Sequence, residues 1–466
     1  MKVCFIDPKG VHYGLNNGLA YIAAYLIKHN PEIETIKVFD FNNNPLNIKE
    51  RLEEVSKFNI IGFSVKSFFS KDIIAMSKKL KNNDNLLIAG GPHVNVDGKN
   101  FLLNSLIDVG VLGEGEITTS ELIKNGVEKT KGLFYKKGKK LVFNEPRGRI
   151  TNLDKLPFPD FTVFDSFKGK IFNYPLLTSR GCPFNCIFCS IRKTMGRIWI
   201  GRTPKNVLNE IIWAKDKYKI SRFNIQDDNF AMDLKRAKKI CQMFIDEKIN
   251  LNWGCYSGIR ADRVDEELVN LMAEAGCDGI AVGIESGDED VFNKIGKAET
   301  LEQIEYAVNL FKKYNIKVEG NFIIGLPNSS VETIKNDIKF AKKLKLDSAI
   351  FGLLVPFPGT DVFNWVNENA KWLRSWTEGI PQGIKPKILF ETETFSKEEM
   401  EKMFYKSNIE CNNYFAFVDE HLPLWENAIS IVKVIIKYDL FGMHRHLFFA
   451  LKNFKKVFNR IFYKNR

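Results

Sequence analysis

The sequence predicts an α/β fold in two successive series: a doubly wound, Rossmann-like parallel sheet, then a partial (βα)6 parallel barrel, followed by a mostly helical C-terminal region. Three observations carry this. From residue 2 to about residue 140, short apolar runs alternate with runs whose apolar residues recur at helical spacing. The same rhythm resumes near Tyr174 and continues to about residue 370, which is the signature of repeated βα units. Beyond that point the pattern turns irregular and then helical. A chain of 466 residues is too long for one ordinary core, so two or three domains are expected.

In the first series KVCFID, TIKVFDF, NIIGFSV, LLIAGG and DVGVLGEG read as strands, and GLAYIAAYLIKHN and SKDIIAMSKKLKN as helices. Glycine-bearing stretches fall at three strand ends, GFS at 62–64, GGPH at 90–93 and GEGE at 113–116. Ligands of doubly wound sheets bind beyond the carboxyl ends of the strands, so the three together suggest a wide flat ligand approached by backbone. A glycine after a strand is more often a plain turn, and neither GxGxxG nor a phosphate-loop lysine occurs. Residues 141–171, with NLDKLPFPDFTVFD, read as an ordered connector.

In the second series YPLLTSR leads into a cysteine-rich loop. The helix PKNVLNEIIWAKDKY and the strand RFNIQDDNF come next, then LNWGCYSG, EELVNLMAEAG, GIAVGIES, LEQIEYAVNLFKKYN, VEGNFIIGLP, VETIKNDIKFAKKL and SAIFGLLVPFPGT. Barrel active sites gather at the C-terminal strand ends, where Cys182, Asp227, Asp228, Glu285 and Gly325 are expected. The predicted divisions are 1–140, 141–171, 172–370 and 371–466.

Composition narrows the class. Hydrophobic residues make up 44% and charged residues 27%, as in soluble globular proteins. The eight cysteines lie singly outside one cluster, unlike a secreted disulfide framework, and no signal sequence or 18-residue apolar run is evident, so a reducing cytoplasm is expected. The net charge of +12 is concentrated in the tail: from Lys433 onward there are nine Lys or Arg and one acid, Asp439. Nothing in the mildly basic body resembles a nucleic-acid-binding motif, so no nucleic-acid partner is expected.

RGCPFNCIFCS places Cys182, Cys186 and Cys189 in one loop. A helical stripe of three thiols fits poorly with Gly181 and Pro183 beside the first. A redox pair at Cys186 and Cys189 leaves Cys182 unexplained. A closed zinc site needs four ligands, and no further cysteine or histidine occurs within 40 residues on either side. Three thiolates without a local fourth ligand point to an iron–sulfur cluster with one iron left open.

With Cys-x-x-x-Cys-x-x-Cys after the first barrel strand, the chain resembles radical S-adenosylmethionine (radical SAM) enzymes. GGPH, GEGE, LPFPDF, IQDDNF, VGIESG, FIIGLP and PFPGT extend the resemblance over residues 1 to 370, to the cobalamin-binding branch of that superfamily. It implies that Cys182, Cys186 and Cys189 hold a [4Fe–4S] cluster, with S-adenosylmethionine on the open iron, cleaved reductively to a 5′-deoxyadenosyl radical. It further implies that Phe188 helps cradle the adenine, Asp227 or Asp228 takes the methionyl ammonium, Arg260 meets the carboxylate, Glu285 the ribose hydroxyls, and the turn at Gly325 the adenine. Singly, Asp228 could as well be a helix cap and Glu285 a solvated strand end. No catalytic residue beyond these is assigned.

The Asp-x-His-x-x-Gly motif of histidine-ligating cobalamin domains is missing; His12 and His93 fall in loops outside it. The resemblance therefore implies cobalamin without a histidine ligand, held by Ser64, Gly90, Gly91, His93, Gly113, Glu114 and Gly115. The implied reaction is methylation of an unactivated carbon or phosphorus of a small-molecule or lipid substrate. The rivals are cyclisation or rearrangement with a degenerate cobalamin domain, a non-catalytic corrinoid sensor, and a zinc-stabilised binding protein. A flavodoxin- or ferredoxin-type electron donor is the expected protein partner. Leu447, Leu451, Phe454, Phe458 and Ile461 share one face of the tail, with Arg445, Lys452, Lys456, Arg460 and Lys464 around it. This pattern fits either a solvated surface helix or a peripheral contact with the inner face of the membrane.

Overall fold

A computed structural model describes residues 1–10, 13–379, 386–417 and 424–438. His12 and the tail residues 443–466 lie outside the described residues. The first series forms β1 (Lys2–Asp7), α1 (Asn17–His29), β2 (Thr35–Asp40), α2 (Ile48–Val55), β3 (Ile60–Ser64), α3 (Ser70–Leu80), β4 (Leu86–Gly90), α4 (Pro92–Leu103), β5 (Val109–Val111) and α5 (Gly115–Asn125). Strands β1 to β5 pair in parallel in the order β2-β1-β3-β4-β5, as the βαβ rhythm requires. Two further strands, β6 (Leu133–Lys137) and β7 (Lys140–Phe143), extend the edge antiparallel as a hairpin turning at Gly138, an addition to the strands expected from apolar periodicity.

Alternate residues of β1 feed different cores. Val3 and Phe5 join an apolar core that runs on into the barrel, whereas Cys4 and Ile6 join a second core on the sheet's far face. The connector crosses between the two halves and is tied to both. Val38 N–H donates to Val163 O at 2.8 Å, Asp160 N–H to Ala20 O at 3.0 Å, and Phe161 N–H to Tyr218 Oη at 3.0 Å.

The second series opens with β8 (Asn173–Leu176), the short β9 (Ser179–Arg180), α6 (Ile191–Thr194), β10 (Ile200–Gly201), which pairs with β9, and α7 (Pro204–Tyr218). It continues with β11 (Arg222–Ile225), α8 (Leu234–Asp246), β12 (Asn252–Ile259), α9 (Glu266–Glu274), β13 (Cys277–Glu285), α10 (Glu289–Lys294), α11 (Leu301–Lys313), β14 (Lys317–Ile324), α12 (Val331–Leu344) and β15 (Ser348–Leu353). Six of these strands pair in parallel in sequence order, β8-β11-β12-β13-β14-β15, and β8 and β15 do not close on each other: the barrel is partial. Along β14, Val318, Phe322 and Ile324 are buried, while Glu319, Asn321 and Ile323 on the opposite face are half-exposed. The open face of the sheet is thus the lumen. Tyr256 projects there, with its ring lying over Gly254 and Gly279, two positions where any side chain would collide with it.

Beyond the barrel come α13 (Asp361–Asn369), the two-residue strands β16 (Lys371–Trp372) and β17 (Phe390–Glu391), α14 (Lys397–Glu410) and α15 (Leu424–Tyr438). From α14, buried Asn408 bonds both the N–H and the carbonyl of Phe351, at 3.2 and 3.0 Å, covering the free edge of β15 with a side-chain amide. Among the described residues no helix is long and apolar enough to cross a membrane.

Candidate functional site

The cysteine loop is fixed by its first residue. Gly181 has φ +87°, and a side chain there would collide with the Ile198 carbonyl, so only glycine lets the chain turn between β9 and Cys182. Asp228 Oδ2 accepts the Gly181 N–H at 2.7 Å. Further along, Ile187 N–H donates to Ile295 O at 3.0 Å and Ile187 O accepts from Val362 N–H at 3.1 Å, so the loop is held between the segment after α10 and the start of α13.

All three thiols are half-buried and free. Burial raises each above the usual thiol range, Cys186 to about 12, while the Lys297 ammonium pulls Cys186 back. Cys189 feels the charge of Cys182, and Cys186 that of Cys189, so the three form one neighbourhood. Yet among the described residues no three Cys, His, Asp or Glu groups converge as ligands of a single metal ion. A four-iron cluster bonds each thiolate to a different iron, so it does not require the three sulfurs to meet at one point, and Lys297 supplies a cation beside Cys186. Bound iron would hold these thiols as thiolates despite the burial.

Around the loop, the remaining residues take distinct places. Phe188 is half-buried against the core. Arg260 stacks on Phe184 of the loop, 3.4 Å from ring centroid to guanidinium carbon, and pairs with Asp262 at 2.9 Å and Glu299 at 3.4 Å. Glu285 ends β13 in the left-handed region, φ +67°, a conformation uncommon for a non-glycine residue. Burial raises its carboxyl above the usual range, and Lys297 offsets part of that. Lys297 is the residue that sequence reasoning missed. Its buried ammonium lies 3.6 Å from Glu285 and 3.1 Å from Glu299 and donates to the Gly283 carbonyl. Gly325, φ +96°, turns toward Phe390 and Met400 of the C-terminal region.

Asp227 is wholly buried, and its oxygens accept from Thr178 N–H, Thr178 Oγ1 and Ser179 Oγ, so it braces the strand leading into the loop. Its neighbour Asp228, whose carboxyl burial raises, is the acid at the loop.

At the other sheet, Ser64 ends β3 and accepts from Asn16 Nδ2 at 3.0 Å. Gly90 ends β4 and leads into Gly91, whose φ of +97° and close approach to the Val65 backbone exclude any side chain. Gly113, φ +70°, has open space where a side chain would be. Gly115, Glu114 and His93 each make contacts within the protein, and His93 departs from its expected loop. Gly115 faces Ile22, allowing α1 and α5 to pack closely. Glu114 is committed to Arg180 at 2.8 Å, Arg149 at 3.1 Å and the Ile150 N–H at 2.8 Å. His93 lies not in a loop but in the first turn of α4, buried between Phe101 and Trp376, with Nδ1 3.3 Å from Ser67 Oγ.

Burial lowers His93 to about 4. A buried neutral imidazole must charge on unfolding, so its stabilisation is complete above the unfolded value near 6.5 and is lost as pH falls from there toward 4. Chemical denaturation at pH 7 and pH 5 is expected to show wild type losing about 2 kcal/mol more than His93→Leu over that interval.

Arg180 links the halves. Its guanidinium bonds Glu114 at 2.8 Å and Glu116 at 2.7 Å, lies over the Tyr21 ring, and immediately precedes Gly181. Between the halves, a cavity of about 250 Å³ is lined by Lys66, Ser67, Phe68, Phe69, Pro92 and Val96 from the first sheet's strand ends. Ser190 and Thr194, just after Cys189, and Phe357 line its other side. Lys66 is held by Asp7 at 3.2 Å.

Comparison with known proteins agrees with this geometry. Residues 176–341 match the Radical SAM superfamily and residues 9–123 the B12 binding domain. Over 407 residues the chain is 31% identical to the uncharacterized methyltransferase PH0819 of Pyrococcus horikoshii, spanning 84% of this chain and 86% of that one. It is 27% identical over 409 residues to cytidylyl-2-hydroxyethylphosphonate methyltransferase of Streptomyces wedmorensis, spanning 74% and 76%. In fold it is similar to the radical S-adenosylmethionine methyltransferase TsrM of Kitasatospora setae, with a TM-score of 0.68 at 19% identity over 80% of this chain and 79% of that one. The chain therefore belongs to the radical SAM superfamily, in the branch with an N-terminal B12 binding domain, an enzyme family whose cofactors are a [4Fe–4S] cluster, S-adenosylmethionine and cobalamin.

Proposed function

We propose that the chain transfers a methyl group to an unactivated carbon, or to phosphorus, of a small-molecule or lipid substrate. The observation that carries this reading is the shared cavity: strand-end residues of the B12 domain and the residues just after Cys189 line the same space. A methyl carrier on one side and a radical source on the other would then meet one substrate. The names of the two methyltransferase relatives and of TsrM support the same reading.

Each role falls to residues already placed. Cys182, Cys186 and Cys189 ligate the cluster. When bound, the cofactors supply reductive cleavage of S-adenosylmethionine to a 5′-deoxyadenosyl radical and a carrier for the methyl group. Asp228 offers a carboxylate to the methionyl ammonium, Glu285 accepts from the ribose hydroxyls, and Lys297 with Arg260 supplies positive charge for the methionyl carboxylate. The Ser64, Gly90-Gly91 and Gly113 turns let backbone approach the corrinoid. In this reading residues 1–140 bind the corrinoid, 141–171 connect, 172–370 form the barrel and 371–466 the helical region, and a flavodoxin- or ferredoxin-type protein delivers the electron.

The test is product analysis of the anaerobically reconstituted, cobalamin-loaded chain with dithionite and S-adenosylmethionine. Methyl transfer yields 5′-deoxyadenosine together with S-adenosylhomocysteine. 5′-Deoxyadenosine alone would replace this reading with cyclisation or rearrangement, and neither product would leave a corrinoid-binding sensor.

A further inference from the structure

Among the side chains described, helix α15 packs with one face. Asn427, Ile431 and Val434 are buried, and the Tyr438 ring stacks on Tyr405 of α14 with centroids 4.4 Å apart. On the opposite face Trp425, Ile429, Val432 and Ile436 are 63, 46, 39 and 48% exposed. Their spacing of four, three and four residues confines them to a narrow stripe about 16 Å long. A surface helix normally gives solvent its polar side, so a straight apolar stripe opposite the packed face marks a contact surface.

The sequence beyond the stripe indicates the partner. Between Arg445 and Arg466 there are seven Lys or Arg and no Asp or Glu, interleaved with Phe448, Phe449, Phe454, Phe458 and Phe462. Within α15, Lys433 and Lys437 lie on the flank of the stripe beside Glu426, Lys437 is 3.7 Å from Glu401 of α14, and Asp439 is the one acid from there to the end of the sequence. A protein groove that took the apolar stripe would not require an excess of positive charge in the segment that follows it. An anionic bilayer takes both, with aromatic and aliphatic side chains at the headgroup boundary and lysines against the phosphates. We propose that the outward face of α15, continuous in sequence with the basic segment after it, docks the enzyme on an anionic lipid surface. This does not depend on which reaction the cavity carries out.

Co-sedimentation of the full-length reconstituted chain tests it, with vesicles of phosphatidylglycerol and phosphatidylcholine against phosphatidylcholine alone. Wild type is expected to pellet with the anionic vesicles and to be released by salt. Trp425→Glu/Ile429→Glu is expected to weaken the binding about tenfold or more at unchanged iron content, while Trp425→Phe retains it. Equal pelleting of wild type and the double variant, or no pelleting of wild type, overturns the proposal. So does a double variant that only lowers the oligomeric mass in light scattering, which would make a second copy the partner. A disulfide formed readily between Ile429→Cys and Phe454→Cys in the absence of vesicles would likewise overturn it, by showing that the chain's own tail covers the stripe.

Discussion

Cys186→Ser is expected to yield a folded, colourless protein that forms no 5′-deoxyadenosine, a fall of about a thousandfold or more against wild type. Cys186 sits in a loop and outside the apolar cores, so its thiol contributes to ligation and little to packing. Cys182→Ser and Cys189→Ser should behave alike, because a cluster with two anchors and an open iron loses iron readily. Circular dichroism and iron content measured side by side check the point. If the variants kept the cluster, three-thiolate ligation would be wrong. Zinc in place of iron in the wild type, lost together with the fold in the variants, would make the loop a structural zinc site.

Arg180→Met is expected to destabilise the chain by about 3–5 kcal/mol, among the largest effects of any substitution outside the cores. It leaves Glu116, 3% exposed, buried without its cation and removes one of the cations on Glu114. Because Arg180 leads directly into Gly181 and Cys182, the loss should also loosen the cysteine loop, seen as faster loss of iron to a chelator. The double variant Arg180→Met/Glu116→Met removes the orphaned charge and should recover much of the stability, measured as a double-mutant cycle in denaturant. A double variant no more stable than Arg180→Met would show that the pair is not coupled.

The strand–helix series and the cysteine loop were legible because both rest on local rules. Apolar periodicity names the elements, and Gly181 with Pro183 excludes a helix. Asp227 and Asp228 show a signal that was present but unused. Phe223 and Ile225 set the buried phase of β11, and carrying that alternation two residues further puts Asp227 inside and Asp228 at the loop. The hairpin after β5 was also readable, from Gly138 between two lysine pairs flanked by apolar residues.

Other features left no local trace. Lys297 meets Glu285 only because α10 folds back between them, and nothing in the intervening sequence marks a buried lysine. Glu114 resembled part of a ligand turn because its partners Arg149 and Arg180 lie 35 and 66 residues away. His93 comes after the Gly-Gly-Pro turn that suggested a ligand, but its ring is enclosed by Trp376 from the far end of the chain. The tail's amphipathic pattern lies outside the described residues, whereas the exposed stripe on α15 is visible only once the helix is seen packed.

The most direct test of the central claim is electron paramagnetic resonance of the anaerobically reconstituted, dithionite-reduced chain, with and without S-adenosylmethionine. A cluster held by Cys182, Cys186 and Cys189 with one open iron predicts a reduced [4Fe–4S] signal whose g-values shift when S-adenosylmethionine binds. A signal that S-adenosylmethionine leaves unchanged, or a colourless protein carrying zinc, would contradict it.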